Sequence, residues 1–234
     1  EVRAGTEQFA LEQNPTNHTW KLVKPTQQPA DQELVRTMLK QLAALEASDL
    51  VKDVVTDYAP YQLDEPVASY SLWRSPTEGS VTNTLMARVD FGKLDLEKGM
   101  VFARRHDEKM VYELENAHQE ALPDRHFRLR DRRLWRFANM DVSKVTVALK
   151  GKAPVEFRRN TRKRWSSPGM PLTLQQDATM NVALDALGSF RAGRWLEHGD
   201  SKLSLPTYGL EETAEKLDLQ VKVDGEVKPH TLLL

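Results

Sequence analysis

The sequence contains no cysteine in 234 residues. Disulfide bonds, thiolate metal ligands and catalysis by a cysteine nucleophile are therefore excluded. The absence of cysteine suits a reducing cytosol and an oxidising compartment equally, so it does not assign a location. The composition, with 40% hydrophobic and 29% charged residues, is typical of a globular protein with a buried core.

The sequence also lacks a long apolar run and a signal-peptide pattern. No segment approaches the roughly 18 apolar residues that a membrane-spanning helix needs. The chain begins at Glu1 and ends on the apolar run Leu232-Leu233-Leu234. Both ends look cut, which leaves room for a targeting or anchoring segment before Glu1 and predicts a strand interrupted at Leu234.

Excess charge and the common catalytic motifs are absent as well. The formal net charge is −1, so nucleic acid is not a favoured partner. No Gly-x-Ser-x-Gly, Gly-x-Gly-x-x-Gly or His-Glu-x-x-His pattern occurs. The histidines show no metal-binding spacing; they are His18, His106, His118, His126, His198 and His230. We therefore predict a non-enzymatic protein without cofactor or metal and assign no catalytic residue.

What the sequence does contain is an internal repeat. A Trp, a Pro-bearing turn and an amphipathic helix run from Trp20 to Val51 and return from Trp165 to Leu196. Residues 145 positions apart match, namely Trp20 with Trp165, Leu39 with Leu184, Leu42 with Leu187 and Ala47 with Ala192. An offset of 147 matches later positions, namely Tyr61 with Tyr208, Leu63 with Leu210, Leu72 with Leu219, Thr84 with Thr231 and Leu85 with Leu232. Chance similarity of two helices does not explain matches on both sides of the helix.

The periodicities predict an α+β fold, with antiparallel sheets and one amphipathic helix in each duplicated unit. The first unit spans 9–154, with a helix over 32–47 capped by Asp31 and an antiparallel meander after it. Spacings of three and four place Val35, Met38, Leu39, Leu42 and Leu45 on one apolar stripe of this helix. The second spans 155–234 and is truncated, with a helix over 177–192 capped by Asp177. In the second helix, we expect the inward residues to be Met180, Ala183, Leu184, Leu187 and Phe190. Gly79, Gly92 and Gly99 are predicted to mark turns of the meander.

The repeated Trp, the helix ending in Leu-x-x-(Leu/Phe)-x-Ala and the Tyr-x-Leu-(Asp/Glu)-Glu loop carry a family resemblance. Between the two copies lies Leu129-Arg130-Asp131-Arg132-Arg133-Leu134, followed by the Val142 to Leu149 strand. This pattern resembles an uncharacterised bacterial family, domain of unknown function 4340, over nearly the whole chain. The repeat-signature residues, which we interpret as structural, are Trp20, Trp165, Tyr61, Tyr208, Leu63 and Leu210.

The resemblance implies an N-terminal membrane anchor and a repeated domain outside the cytoplasm, periplasmic in location. It also implies a protein partner in a membrane transport complex, because such genes often lie beside components of ABC transporters. No catalytic residues are established for the family, so none is carried over. The first loop departs from the family pattern because Gln62 stands where the second loop has Gly209. If Gly209 has a positive φ, we expect the first loop to differ locally.

An arginine-rich segment is the sharpest local feature that could bind a ligand. It holds Arg125, Arg128, Arg130, Arg132, Arg133 and Arg136, interleaved with aromatic and apolar residues. Guanidinium groups suit phosphates and carboxylates, so one hypothesis is a binding module for lipid headgroups, acidic glycans or nucleic acid. The alternative is a solvated face whose arginine stems cover the core. A second basic cluster comprises Arg158, Arg159, Arg162, Lys163 and Arg164.

Two further hypotheses rest on the repeated loops. Acids flank both Tyr loops, and paired carboxylates in a cleft could make the protein a hydrolase. These acids are Asp53, Asp57, Asp64 and Glu65 in the first loop and Glu211, Glu212 and Glu215 in the second. The repeated Trp and Tyr residues could instead line a glycan groove. Solvated acids and core aromatics are the more common arrangements, so we favour an interaction or scaffold domain.

Overall fold

A computed structural model describes residues 1–76, 82–196, 205–210 and 215–234. The chain divides into two compact units, Glu1–Asp131 and Arg132–Leu234. The boundary predicted from the sequence, after Pro154, lies inside the second unit. It falls there because the strand Val142–Ala148 pairs with strands of the second sheet and with none of the first.

The first unit is a nine-stranded antiparallel sheet with one main helix. Its elements are β1 (Val2–Ala4), β2 (Glu7–Gln13), β3 (Trp20–Lys24), β4 (Gln28–Pro29), α1 (Gln32–Ala43), β5 (Asp49–Lys52), β6 (Ala68–Arg74), β7 (Thr84–Asp95), β8 (Met100–Arg105), β9 (Val111–Glu115) and α2 (Asn116–Glu120). The strand order is β4-β3-β2-β1-β6-β7-β8-β9-β5. The predicted meander is therefore confirmed as β6 to β9.

Helix α1 packs on one face of this sheet. Asp31 caps it, since its carboxylate accepts the backbone N–H groups of Glu33 and Leu34. The predicted apolar stripe is confirmed, with Val35 and Met38 buried and Leu39, Leu42 and Leu45 packed against the core. This core also contains Phe9, Leu22, Phe91 and Val101.

The opposite face of the first sheet is covered by the Tyr loop. Leu63 from this loop is fully buried with Val55, Phe102 and Val111. Gly92 lies inside β7 instead of marking a turn, so that prediction is wrong. A Cβ at Gly92 would stand 2.1 Å from the carbonyl oxygen of Tyr61, so only glycine lets the loop approach this closely. Gly99 does mark a turn, with φ +67°, and Gly79 lies outside the described residues.

The second unit is a six-stranded antiparallel sheet with one helix. Its elements are β10 (Val142–Ala148), β11 (Val155–Arg159), β12 (Trp165–Ser167), β13 (Met170–Pro171), α3 (Leu174–Gly188), β14 (Lys216–Val223) and β15 (Glu226–Leu233). The strand order is β13-β12-β11-β10-β14-β15. The buried residues of its core are Val142, Val145, Trp165, Leu184, Leu219 and Val221.

Helix α3 begins three residues before the predicted start. Thr173 is its N-cap, and Gln176 completes a capping box with it, so the prediction of Asp177 as the cap is wrong. Of the residues expected to point inward, Leu184 is buried in the core, and Met180 and Leu187 pack against it. Ala183 and Phe190, which were expected to point inward, are exposed.

The two sheets share the order of their first six strands. The order β4-β3-β2-β1-β6-β7 of the first unit corresponds position by position to β13-β12-β11-β10-β14-β15 of the second. In both units the helix comes in the chain after the first four strands of this order and before the last two. The α+β class with antiparallel sheets is confirmed, whereas the duplication itself stays a prediction.

Two predicted matches within the repeat, Thr84 with Thr231 and Leu85 with Leu232, disagree with the strand pairing. The sequence aligns Leu85 with Leu232, but Leu72 pairs with Ala87 in β7, and Leu219 pairs with His230 in β15. His230 therefore takes the place of Ala87 in the second sheet. The shift arises because β14 and β15 are joined by the two-residue turn Asp224-Gly225, whereas β6 and β7 are joined by a longer connection.

In the described residues no helix combines the length and the apolar character needed to cross a bilayer.

We expect Gly188→Ala to destabilise the second unit by about 2–3 kcal/mol. A Cβ at this position would lie 2.1 Å from the carbonyl oxygen of Phe137, a backbone atom that cannot rotate away. Gly193→Ala is the control, because a Cβ there meets nothing within 4 Å. Urea unfolding measures both changes, and equal stability of the two variants would contradict the predicted close packing.

Candidate functional site

The repeated Trp residues hold strand to helix in both units. The backbone N–H of Trp20 donates to Oε1 of Gln32 at 2.7 Å, and that of Trp165 donates to Oδ1 of Asp177 at 2.7 Å. Both acceptors lie twelve residues after their Trp, in the first turn of the helix. Trp165 is fully buried and Trp20 packs against the first core. These contacts give both Trp residues a structural role, and the burial of Trp165 makes its ring inaccessible to a glycan.

The two Tyr loops share a positive φ at the residue after the Tyr but differ in burial. Gln62 has φ +54° and Gly209 has φ +72°, so the expectation that the glutamine makes the first loop differ locally is wrong. Tyr61 contacts Phe102 edge-on with ring centroids 5.2 Å apart, whereas Tyr208 is 45% exposed. Leu63 is fully buried, and Leu210 is only half-buried. The loop is thus a core element in the first unit and a surface element in the second.

The arginine-rich segment is divided between the two units. Arg125, Arg128 and Arg130 belong to the first unit, whereas Arg132, Arg133 and Arg136 belong to the second. Only a short 3₁₀ turn, His126–Leu129, is helical in this segment. Arg128 pairs with Asp124 at 2.9 Å, and Arg132 donates to the carbonyl oxygen of Gly193 at 3.2 Å. Local contacts therefore already occupy part of the segment, whose role in anion binding stays a prediction.

The second basic cluster contributes to the second core. The guanidinium group of Arg159 lies 4.6 Å from the ring centroid of Trp165 and donates to Oδ1 of Asn181 at 2.8 Å. Burial lowers the pKa of Arg159 from its usual value. Arg164 lies 3.2 Å from the carboxylate of Asp177. At these two positions arginine stems and heads pack around the helix.

The most buried acid lies in the sheet. Asp90 is fully buried, accepts a hydrogen bond of 2.6 Å from Ser69, and pairs with Arg88 at 2.7 Å and Arg104 at 3.1 Å. Arg104 also stacks over the ring of Tyr58 at 4.4 Å. Two arginines and a hydroxyl saturate this carboxylate, as is typical of a structural ion network.

The structure describes the acids of the first Tyr loop but only Glu215 of those in the second. Asp57 accepts the backbone N–H of Ala59 at 3.0 Å, a turn contact. Glu211, Glu212 and His198 lie outside the described residues. No group of three or more metal-binding side chains occurs in the portion of the chain that is described. The hydrolase hypothesis stays a prediction.

A cavity that the sequence did not reveal lies between α1 and the sheet of the first unit. Its volume is about 480 Å³. The C-terminal half of α1 and the residues after it form the roof, with Leu39, Leu42, Ala43, Leu45 and Ala47. Strands β6 to β9 form the floor, with Leu72, Ala87, Val89, Ala103, Tyr112 and Leu114 among others. We call this space the α1 groove.

The α1 groove is open to solvent along one side, where Leu72 is 40% and Met86 57% exposed. Its size is typical of a small-molecule site, and its mainly apolar lining also includes Arg88, Arg104, Arg105 and Asp107. The helical spacing of Leu39, Leu42 and Leu45 predicted them to be core residues, and this spacing does not show whether the layer they face is filled. The signal that reasoning from sequence missed is the run of alanines at 43, 44 and 47, where a closed core would need larger side chains.

The comparisons with known proteins point to a single family. The family model described as Domain of unknown function (DUF4340) matches residues 20–213, which is most of the chain. The match includes α1, both Tyr loops and the arginine-rich segment. No curated protein and no solved structure matches the chain.

Removing the helix side chain that binds the Trp amide should destabilise each unit. We expect Asp177→Ala to cost about 3 kcal/mol, because the buried N–H of Trp165 loses its acceptor and Arg164 loses its carboxylate. Gln32→Ala should cost about 1–2 kcal/mol, since Trp20 is only half-buried. Gln175→Ala, exposed in the first turn of α3, is the control and should stay within about 0.5 kcal/mol of the parent. Urea unfolding decides, and an Asp177→Ala variant as stable as the control would contradict this assignment.

The anion-binding hypothesis is tested separately in each unit. If the segment binds anionic surfaces, changing Arg128 and Arg130, or Arg132 and Arg133, to serine should weaken binding to phosphatidylglycerol vesicles. At low ionic strength the expected loss is roughly fivefold per arginine. Binding should also fall with added salt. Vesicles of neutral phosphatidylcholine are the control, and unchanged binding by both double variants would remove the hypothesis.

Proposed function

The chain belongs to the DUF4340 family, and we propose that it is a non-enzymatic, extracytoplasmic interaction domain of a membrane-anchored protein. In this proposal its partner is a protein of an ABC-type transport system. The anchor, the periplasmic location and the transporter come from what the family resemblance implies. The contacts of the residues support the other part of the proposal, namely that the domain is non-enzymatic and presents surfaces for interaction.

The observation that carries the proposal is the shared framework of the two units. The first six strands have the same order in both sheets. The repeated Trp amide binds the first turn of the helix at the same distance in both. We take this as support for an internal duplication. The residues that recur are thus occupied with holding a framework, which favours a protein that presents surfaces over one that performs a reaction.

The charged groups support the same reading. Asp90, Asp177 and Arg159 are buried or half-buried ionic side chains, and each contacts partners of its own unit. A catalytic acid or base needs a side of the group free for a substrate. These three groups instead connect strands to one another or to the helix.

The proposal predicts that the full-length gene product fractionates with membranes and co-purifies with subunits of an ABC-type transporter after mild detergent solubilisation. A matched control keeps the flanking sequences and replaces residues 1–234 with an unrelated globular domain. Mass spectrometry of the purified complexes, with label-free quantification, measures the ratio of transporter subunits to bait. Recovery of the parent protein in the soluble fraction, or equal transporter recovery with the control, would contradict the proposal.

A further inference from the structure

We propose that the α1 groove is the docking site of the segment of this protein's own chain that immediately precedes Glu1. In this proposal the segment first extends β1 along β6 and then crosses the groove beneath α1. The inference goes beyond the proposed function, because it concerns how the first unit is completed. It holds whether or not the same segment leads to a membrane anchor.

The strand pairing shows which part of β10 corresponds to β1. Val2 pairs with Tyr70 of β6, and Val147 pairs with Leu217 of β14. Tyr70 and Leu217 are 147 residues apart, the offset that relates β6 to β14. Val2 therefore corresponds to Val147. Because β10 already begins at Val142, its first residues correspond to positions before Glu1.

The first residues of β10 bury the strand beside them. Val145 pairs with Leu219 and Val142 pairs with Val221, and all four residues are buried. Leu72 takes the place of Leu219 in the first unit, yet it is 40% exposed, against 1% for Leu219. A strand that continues β1 in the direction of its N-terminus would give Leu72 the same neighbour and the same burial.

The hydrogen bonds between β1 and β6 lead the chain toward the groove. The backbones of Glu1 and Ser71 exchange two hydrogen bonds, each of 2.9 Å. Strand β6 goes on from Ser71 to Arg74, and Leu72 in this stretch lines the α1 groove. In an antiparallel ladder the residue before Glu1 lies opposite Leu72. The segment thus enters the groove at its first residue.

The residues before β10 show where the segment goes next. The rings of Trp135 and Phe137 lie 5.7 and 5.8 Å from the ring of His230 in β15. His230 occupies in β15 the position that Ala87 occupies in β7, and Ala87 lines the groove. The chain before β10 therefore crosses β14 to reach β15. By the same path the chain before Glu1 crosses β6 to reach β7, which is the floor of the α1 groove.

The end of the helix bounds the same path from above. A Cβ at Gly188, the last residue of α3, would stand 2.1 Å from the carbonyl oxygen of Phe137. The residue that corresponds to Gly188 at an offset of 145 is Ala43, which lines the roof of the groove. Because Ala43 carries a Cβ, the segment must lie farther from α1 than Phe137 lies from α3. The groove volume of about 480 Å³ leaves room for this displacement.

The mixed lining of the groove suits a peptide. Leucines and alanines line it, but so do polar and charged residues, namely Tyr70, Arg88, Arg104, Arg105, Asp107 and Tyr112. A peptide brings apolar side chains for the first group and backbone N–H and C=O groups for the second. Its covalent link to Glu1 also gives the segment an effective concentration on the order of millimolar. This link favours the segment over a second copy of the chain or a free ligand.

The correspondence predicts which positions of the segment are apolar. The first and fourth residues before Glu1 correspond to Val145 and Val142, and the ninth and eleventh correspond to Phe137 and Trp135. We expect apolar residues at the first and fourth positions and a large apolar residue at the ninth or eleventh. The gene sequence before the codon for Glu1 supplies these residues. Charged residues at both the first and fourth positions would overturn the proposal, as would a native protein whose mass places its N-terminus at Glu1.

Methyl NMR tests the docking itself. It compares residues 1–234 with the same chain extended by its natural residues to beyond the eleventh position before Glu1. Met86 lines the groove and is 57% exposed. In the extended chain, a soluble gadolinium chelate should relax the Met86 methyl group at least about threefold less, because a packed layer excludes the chelate. Met140 and Met170 are exposed in the second unit and should relax equally in both proteins. Equal relaxation of Met86 in the two proteins would overturn the proposal.

Two variants and one control locate the docking site. Leu72→Glu and Ala87→Glu each place a carboxylate in the path of the segment, and both positions are exposed in residues 1–234, so each variant should keep its cooperative unfolding transition. In the extended chain, each should return the relaxation of Met86 to its value in residues 1–234. Ala186→Glu on the exposed side of α3 is the control and should leave Met86 shielded.

Two further measurements distinguish the segment from other occupants. An extended chain whose added residues are scrambled should leave Met86 as accessible as in residues 1–234. Equal shielding by the scrambled segment would overturn the proposal, because it would show cover without specific docking. So would shielding of Met86 in residues 1–234 that rises with protein concentration, because it would identify a second copy of the chain as the occupant.

Discussion

The hydrogen bond from a strand tryptophan to the first turn of the helix is the contact on which each unit depends. It joins Trp20 to Gln32 in the first unit and Trp165 to Asp177 in the second. A backbone N–H at the edge of a packed layer must find a partner, because leaving it buried and unpaired costs about 1–3 kcal/mol. The helix side chain supplies that partner and so fixes where the helix lies on its sheet. The apolar stripe of the helix then forms the core.

Within this common framework the two units differ in what fills the layer near the end of the helix. The second unit uses Trp135, Phe137 and His230, whose rings contact one another. The first unit has Ala87 where the second has His230, and Ala87 lines the open α1 groove. The two units thus share the order of six strands and the Trp–helix hydrogen bond but differ in this layer. Because the repeated Trp residues make structural contacts, a ligand site is better sought among residues that differ between the two units.

Much of the framework could be predicted from the sequence, because periodicity and turn chemistry are local. The stripe of α1, its Asp31 cap, the strands of the meander and the Asp224-Gly225 turn all follow from such patterns. The start of α3 was missed because a capping box at Thr173 competed with Asp177, whose role depends on a strand twelve residues away. Gln62 was misjudged because glycine is favoured at positive φ but not required there.

The α1 groove was beyond sequence reasoning for a physical reason. A leucine stripe has the same spacing whether it meets a filled or an open layer, and the filling residues come from a different strand. Only the pairing of β6 with β7, and of β14 with β15, places Ala87 and His230 at the same point. The arginine-rich segment shows the converse. It was conspicuous in the sequence, yet Arg132 and Arg128 have partners within their own units.

Amide hydrogen exchange at the two tryptophans tests the central claim most directly. With ¹⁵N-labelled tryptophan, each of the five residues gives its own backbone signal. If the Trp–helix contact holds each unit together, the amides of Trp20 and Trp165 should exchange only through opening of the whole unit, hours slower than exposed amides. Exchange of both amides as fast as that of exposed loop residues would contradict the account.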